Sequence, residues 1–207
     1  MTGVQSEIRR LTHNGKPCIL KTPRHGVLRL ISQWTLSREK RMYLKLSDIR
    51  GIPACLGMTA DGLLLEAVDG RPLSDYRKGQ ISIAFLDDID RLIADIHARG
   101  VAHSDLKKRD NILVVEPTPP PTAHGVGQEQ IPFIIDFGAA FEKGHPLFET
   151  FKRIDLAAAA KLRAHHQPDS LKPEQHHLLV NPTWAERLSR FLIHSVRDPF
   201  RAVFGNK

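Results

Sequence analysis

Polar and apolar positions alternate at the start of the chain. Glu7-Ile8-Arg9-Arg10-Leu11 and Pro17-Cys18-Ile19-Leu20-Lys21 flank Asn14-Gly15, a dipeptide suited to a two-residue hairpin turn. A β-hairpin is therefore expected over 6–22. The pattern then switches period. Trp34, Leu36, Met42, Tyr43, Leu44 and Leu46 are interleaved with charged residues and no breaker intervenes, which predicts a helix over 34–47. Gly57 and Asp61-Gly62 mark turns, and the unbroken apolar run Leu63 to Leu65 opens a strand that reaches Val68. The clearest helix is 81–99. Ile81, Phe85, Ile89, Leu92, Ile93 and Ile96 share one face and Gly100 stops it. Two short apolar runs, 111–115 and 133–135, read as strands. Between them, 116–132 is rich in proline and glycine and is expected to be a mobile surface loop. An alanine-rich helix is expected over 150–164, a solvated polar linker over 165–182, and a last helix over 183–204 with Trp184, Leu188, Phe191, Leu192 and Val196 on one face.

Composition narrows the class without naming a function. The 207 residues are 41% hydrophobic and 26% charged, ordinary for a globular domain that buries its own core. No run of 18 uncharged apolar residues occurs, and the N-terminus lacks a basic patch followed by an apolar core, so neither a transmembrane span nor a secretory signal is expected. Cys18 and Cys55 form no C-x-x-C, which disfavours a cysteine zinc site and fits a reducing cytoplasm. The net charge of +7 is uneven. Residues 1–50 carry 11 basic and 3 acidic side chains, 51–150 carry 9 and 15, and 151–207 carry 10 and 5. An acidic centre suits a metal, and basic flanks suit phosphate or an anionic surface. With 13 aromatics and no recognition motif, nucleic acid is not expected as a partner.

The candidate chemistry lies in Val101-Ala102-His103-Ser104-Asp105-Leu106-Lys107-Lys108-Arg109-Asp110-Asn111, followed after the loop by Asp136-Phe137-Gly138. This pair of segments resembles the catalytic loop and D-F-G element of the protein-kinase-like phosphotransferases. The resemblance implies that Asp105 is the base that takes a hydroxyl proton and that Lys107 stabilises the transferred phosphoryl group. It also implies that Asn111 and Asp136 hold Mg²⁺ against ATP. Gly138 is expected to turn the chain after the metal ligand. Lys21, at the end of an apolar strand, and Glu39, on the next helix, resemble the lysine–glutamate pair that positions phosphates. Glu66 to Val68, before Asp69-Gly70, resembles the hinge whose backbone pairs with adenine. Asp155 is either the family's helix aspartate that braces the catalytic loop or a helix N-terminal charge.

The sequence also departs from the family pattern. No G-x-G-x-x-G precedes Lys21, no A-P-E follows Gly138, and residue 104 is Ser. One extra residue, Asp110, sits where the metal-binding Asn is usual, so Asp110 is a second candidate ligand. These departures resemble the compact atypical kinases, the RIO-like and lipopolysaccharide-core-kinase-like group, as does Pro182-Thr183-Trp184 before a basic helix. The fold so implied is α+β and bilobal, a single domain with a small lobe over 1–68, a hinge over 69–72 and a mainly helical lobe over 73–207. The implied function is ATP- and Mg-dependent phosphoryl transfer to a hydroxyl of a protein Ser/Thr or of a sugar or lipid headgroup. The alternative is a pseudokinase, a nucleotide-binding or interaction module. The adjacent histidines His165-His166 and His176-His177 are expected to be solvated rather than metal ligands. Arg187, Arg190, Arg197 and Arg201 beside the apolar stripe of 183–204 suggest peripheral contact with an anionic membrane.

Overall fold

The computed structural model describes residues 6–23, 29–116 and 130–180. The chain opens with β1 (Ser6–His13) and β2 (Lys16–Pro23), antiparallel in a register running from Ser6 opposite Pro23 to His13 opposite Lys16. Asn14 and Gly15 both have positive φ, 51° and 76°, the two-residue primed turn expected from the dipeptide. After α1 (Arg29–Lys45) come β3 (Cys55–Met58) and β4 (Leu63–Glu66), completing a four-stranded antiparallel sheet in the order β1-β2-β4-β3. Strand β4 is central. Leu63, Leu64 and Leu65 are all buried, as befits a strand covered on both faces. At its start, Gly62 has φ 153° and a Cβ placed there would lie 2.0 Å from the Lys21 carbonyl oxygen. Glycine is thus what allows β4 to lie against β2 beside Lys21.

The remaining elements are mainly helical. The short β5 (Arg71–Pro72) precedes α2 (Ile83–Ala98), and β6 (Val101–Ala102) follows it. Ser82 caps α2 by accepting from the Phe85 amide at 3.1 Å. Phe85, Leu86, Ile89, Leu92, Ile93 and Ile96 face inward at the predicted spacing. Strands β7 (Ile112–Val115) and β8 (Ile131–Ile134) pair with β5 in a three-stranded sheet, and β9 (Phe141–Glu142) pairs with β6. Then come α3 (Phe148–His166) and α4 (Pro173–Val180). One core runs through both halves, joining Leu36, Met42, Tyr43 and Leu46 of and after α1 to the inner face of α2 and to Ala158, Ala159 and Leu162 of α3.

The polar segment 165–182 differs from the expected linker. Through residue 180 it carries a 3-10 turn at Pro168–Ser170 and α4, and His166 and Gln175 are buried. Ion pairs rather than apolar periodicity dock it. Buried Arg163 binds Asp87 at 2.7 Å and Asp90 at 2.8 Å, Lys172 reaches the same two carboxylates, and the Gln175 amide donates to Asp90 at 3.0 Å. Such partners lie about 75 residues apart, so no local pattern reveals them. The predicted helix 183–204 and positions 117–129 of the predicted loop lie outside the described residues. No helix among the described residues is long and apolar enough to cross a membrane.

Candidate active site

Strand β2 delivers Lys21 into the interior, where it is 5% exposed. A lone buried ammonium is expensive, and it is kept only with partners. Two carboxylates supply them. Lys21 Nζ lies 2.6 Å from Glu39 Oε1 on α1 and 2.7 Å from Asp136 Oδ1 just after β8. Burial works against the Lys21 charge, but Glu39, Tyr43 and Asp136 outweigh it and the lysine pKa rises. Burial raises Glu39, against the pull of Lys21. Asp136 is held below the usual carboxylate range: desolvation opposes this, and the charge and hydrogen bond of Lys21 prevail.

Asp136 itself is in the left-handed region, φ 68° and ψ 68°, unfavourable for a residue with a Cβ. Residues flanking it on two sides hold it there. Its amide donates to the Tyr43 hydroxyl at 3.0 Å. The Phe137 ring is packed edge-on by Tyr43 at 5.1 Å and at a tilt by His103 at 4.8 Å between centroids. The chain turns after Asp136, as expected from Gly138. Gly138 lies within a 3-10 turn over Phe137–Ala139, and the left-handed residue is Asp136. In the sequence Tyr43 reads only as an apolar position of the helix. Its position four after Glu39, on the same helix face, is the signal that links it to the site.

The loop after β6 is braced from α3. Asp155 is fully buried. Its Oδ2 accepts from the His103 amide at 2.8 Å and from His97 Nε2 at 3.0 Å, and its Oδ1 accepts from the Ser104 amide at 2.8 Å. Of the two sequence readings of Asp155, the brace is therefore the correct one. Ser104 also has positive φ, 69°, and its hydroxyl donates to Ala139 O at 2.8 Å. His103 joins the loop to the strand before Asp136. The Asp105 amide donates to His103 Nδ1 at 3.3 Å, so Nε2 carries the proton and donates to Ile135 O at 3.0 Å.

Asn111 is buried and turned toward Asp105. Its Nδ2 donates to Asp105 O at 3.1 Å and to Asp105 Oδ2 at 3.4 Å, leaving the amide oxygen as the atom a cation would use. Asp110 instead accepts from the Ser74 hydroxyl. A 3-10 turn over Arg109–Asn111 takes up the extra residue and selects which side chain faces Asp105. A carboxylate and an amide oxygen are hard donors. Mg²⁺ commonly uses one or two such protein ligands with phosphate oxygens and water, so Asp136 and Asn111 fit that ion. Among the described residues no group of three or more His, Cys, Asp and Glu side chains could hold a metal, so a dedicated all-protein cage is not what these residues form.

The remaining expected positions are at the end of β4 and in the loop after Asp105. Glu66 is exposed at the end of β4, where its amide donates to Ala54 O and its carboxylate accepts from the Ala54 amide, both at 2.9 Å. The next amide, Ala67, donates to Pro17 O at 3.2 Å, and Val68 follows beyond the strand. Lys107 is exposed and lines a depression against α3 with Arg109, Lys161 and His165.

A small antiparallel sheet with one helix, a mainly helical remainder, and a buried lysine–glutamate pair beside a left-handed Asp-Phe-Gly define a protein-kinase-like fold. The chain is similar to the Rio2 kinase of Chaetomium thermophilum, with a TM-score of 0.67 and 17% identity over 96% of this chain and 70% of that one. It is also similar to the same kinase in an ADP/Mg²⁺-phosphoaspartate complex, with a TM-score of 0.68 and 18% identity over 90% of this chain and 59% of that one. No family model and no curated protein matches the sequence. The likeness carries the kinase fold and leaves the lipopolysaccharide-core-kinase subgroup unsupported.

Proposed function

We propose that the chain is an ATP- and Mg-dependent phosphotransferase with a hydroxyl acceptor. The observation that carries this is the pairing of Lys21 with Glu39 and Asp136, 2.6 Å and 2.7 Å away, next to an Asn111 that faces Asp105. In this reading nucleotide sits between a small lobe over 1–68 and a helical lobe over 73–207, with the backbone of Glu66 to Val68 against the base. Lys21, held by Glu39, binds phosphate oxygens. Mg²⁺ held by Asp136 and Asn111 would neutralise phosphate charge. Asp105 takes the proton of the acceptor hydroxyl as its oxygen bonds to the γ-phosphorus, and the bond from that phosphorus to the β,γ-bridging oxygen breaks to release ADP. Lys107 would stabilise the transferred group.

The acceptor hydroxyl belongs either to a protein Ser/Thr or to a sugar or lipid headgroup. Peripheral contact with an anionic membrane rests on the sequence of 183–204 alone. The missing G-x-G-x-x-G before Lys21 favours a second reading, a pseudokinase that binds without turnover. Calorimetry of ATP with and without Mg²⁺, on the parent and on Asp136→Asn, tests the site. Metal-dependent binding lost in the variant is expected. Binding indifferent to metal supports the pseudokinase, and no binding removes the phosphotransferase and leaves only an interaction module.

A further inference from the structure

On the α3 side of the loop that carries Asp105 lies a depression of about 250 Å³. Its floor is apolar, made of Leu106, Ala158 and Leu162, all buried. Its walls are Lys107, Arg109, Lys161 and His165, and no carboxylate lines it. The spacing 158, 161, 162 and 165 puts the α3 contribution on one helix face. Lys161 and His165 fall in the last turns of α3, where basic residues complement the helix dipole, but that does not account for Lys107 and Arg109, which come from a different element. Among the described residues, Arg109, Lys161 and His165 make no ion pair with a carboxylate. Arg109 and Lys161 thus share a wall that no carboxylate lines, and like charges held side by side favour an anion between them.

We propose that this depression binds a phosphate group of the acceptor, carried either by a soluble phosphorylated molecule or by a lipid headgroup. The proposal rests on the phosphotransferase reading for the word acceptor. Several converging cations, one of them a guanidinium, match a dianion of this size better than a single carboxylate. The apolar floor would carry the carbon skeleton attached to it. Leu106 directly follows Asp105 in the chain, so a molecule anchored here lies beside the loop that bears the base. The sequence shows the cations of the loop and of α3 separately, 52 residues apart between Arg109 and Lys161, and nothing in either pattern predicts that they share a wall.

The test is a titration of the full chain with inorganic phosphate and with glycerol 3-phosphate, followed by ¹H–¹⁵N spectra, and co-sedimentation with phosphatidylcholine vesicles with and without phosphatidic acid. Amides of 106–109 and 158–165 are expected to shift. Lys161→Ser is expected to weaken phosphate binding by roughly tenfold or more, the loss of one charged hydrogen bond, with Mg-ATP affinity unchanged. Arg109→Gln serves as a second variant with the same expected loss. Binding of phosphatidic acid vesicles alone, lost in Lys161→Ser, identifies the lipid source. Phosphate that shifts only residues around Lys21 and Asp136, or binds Lys161→Ser as it binds the parent, or fails in every arm, overturns the proposal. Failure of the parent to bind Mg-ATP while phosphate still shifts 158–165 strikes the phosphotransferase reading and leaves the phosphate site in place.

Discussion

Lys21 and Asp136 are 115 residues apart in the chain and 2.7 Å apart in space. The lysine thereby holds the aspartate that the proposed mechanism assigns to Mg²⁺, in a backbone conformation that the aspartate would not adopt alone. Phosphate oxygens and a cation would each take over one end of this contact, so the same two side chains serve stability without ligand and binding with it.

Removing Lys21 leaves Glu39, 2% exposed, without its cation. Lys21→Met is expected to lower unfolding free energy by about 3–5 kcal/mol, the usual result of stripping one partner from a buried pair. Lys21→Met/Glu39→Leu should recover much of that loss. Urea unfolding of the parent, both single variants and the double variant checks it, and strictly additive losses would show the pair is not coupled.

Asp105→Asn keeps the shape of the side chain and removes its basicity. Phosphoryl transfer is expected to fall by at least about 10²-fold, the usual contribution of a positioned base, while calorimetric Mg-ATP binding stays near that of the parent. Equal turnover in variant and parent would take Asp105 out of the role.

Gly62 tests the contact between β2 and β4 that carries Lys21. A Cβ there meets backbone at 2.0 Å, which no side-chain motion can relieve. Gly62→Ala is expected to destabilise by roughly 1–3 kcal/mol and to weaken nucleotide binding through displacement of Lys21. Gly15→Ala, in an open turn with nothing within 4 Å of the added Cβ, is the control for strain without a clash. A Gly62→Ala protein as stable as Gly15→Ala would refute the close approach.

His166 sets a pH dependence. Burial lowers its pKa below 6.5, His165 and Arg109 push the same way, and the Arg77 backbone offsets part of it. The unfolded chain therefore binds the proton first as pH falls. The stability contributed by neutral His166 is full above 6.5 and declines below it, by at most about 1.4 kcal/mol per pH unit for one proton. Denaturation midpoints between pH 7.5 and 5 should fall less steeply in His166→Leu than in the parent, and parallel profiles would exclude His166 as the cause. Asp136 acts in a lower window. Its depressed pKa favours the fold above 3.8 and that contribution is lost as pH falls below it.

By itself the sequence determined the elements whose reasons are local. Asn14-Gly15 permits one kind of hairpin turn, and the i, i+3, i+4 apolar face from Phe85 to Ile96 commits α2 to the core. His103 to Asn111 and Asp136 to Gly138 stand in the order of a known catalytic arrangement, and Lys21 and Glu39 precede them at a workable separation. Tertiary structure decided what depends on partners far away in the chain. It placed Asn111 rather than Asp110 toward Asp105, because a 3-10 turn rotates one inward and Ser74 receives the other. It put the left-handed strain on Asp136 rather than Gly138, because Lys21 and Tyr43 are there to hold it. It made Asp155 a brace, since two loop amides and His97 converge on its carboxylate. It turned the polar segment after His165 into a docked helix, because Asp87 and Asp90 on α2 meet Arg163 and Lys172. Charge pairs and hydrogen bonds act over a few ångströms with no preference for sequence distance, and periodicity along the chain carries no record of them.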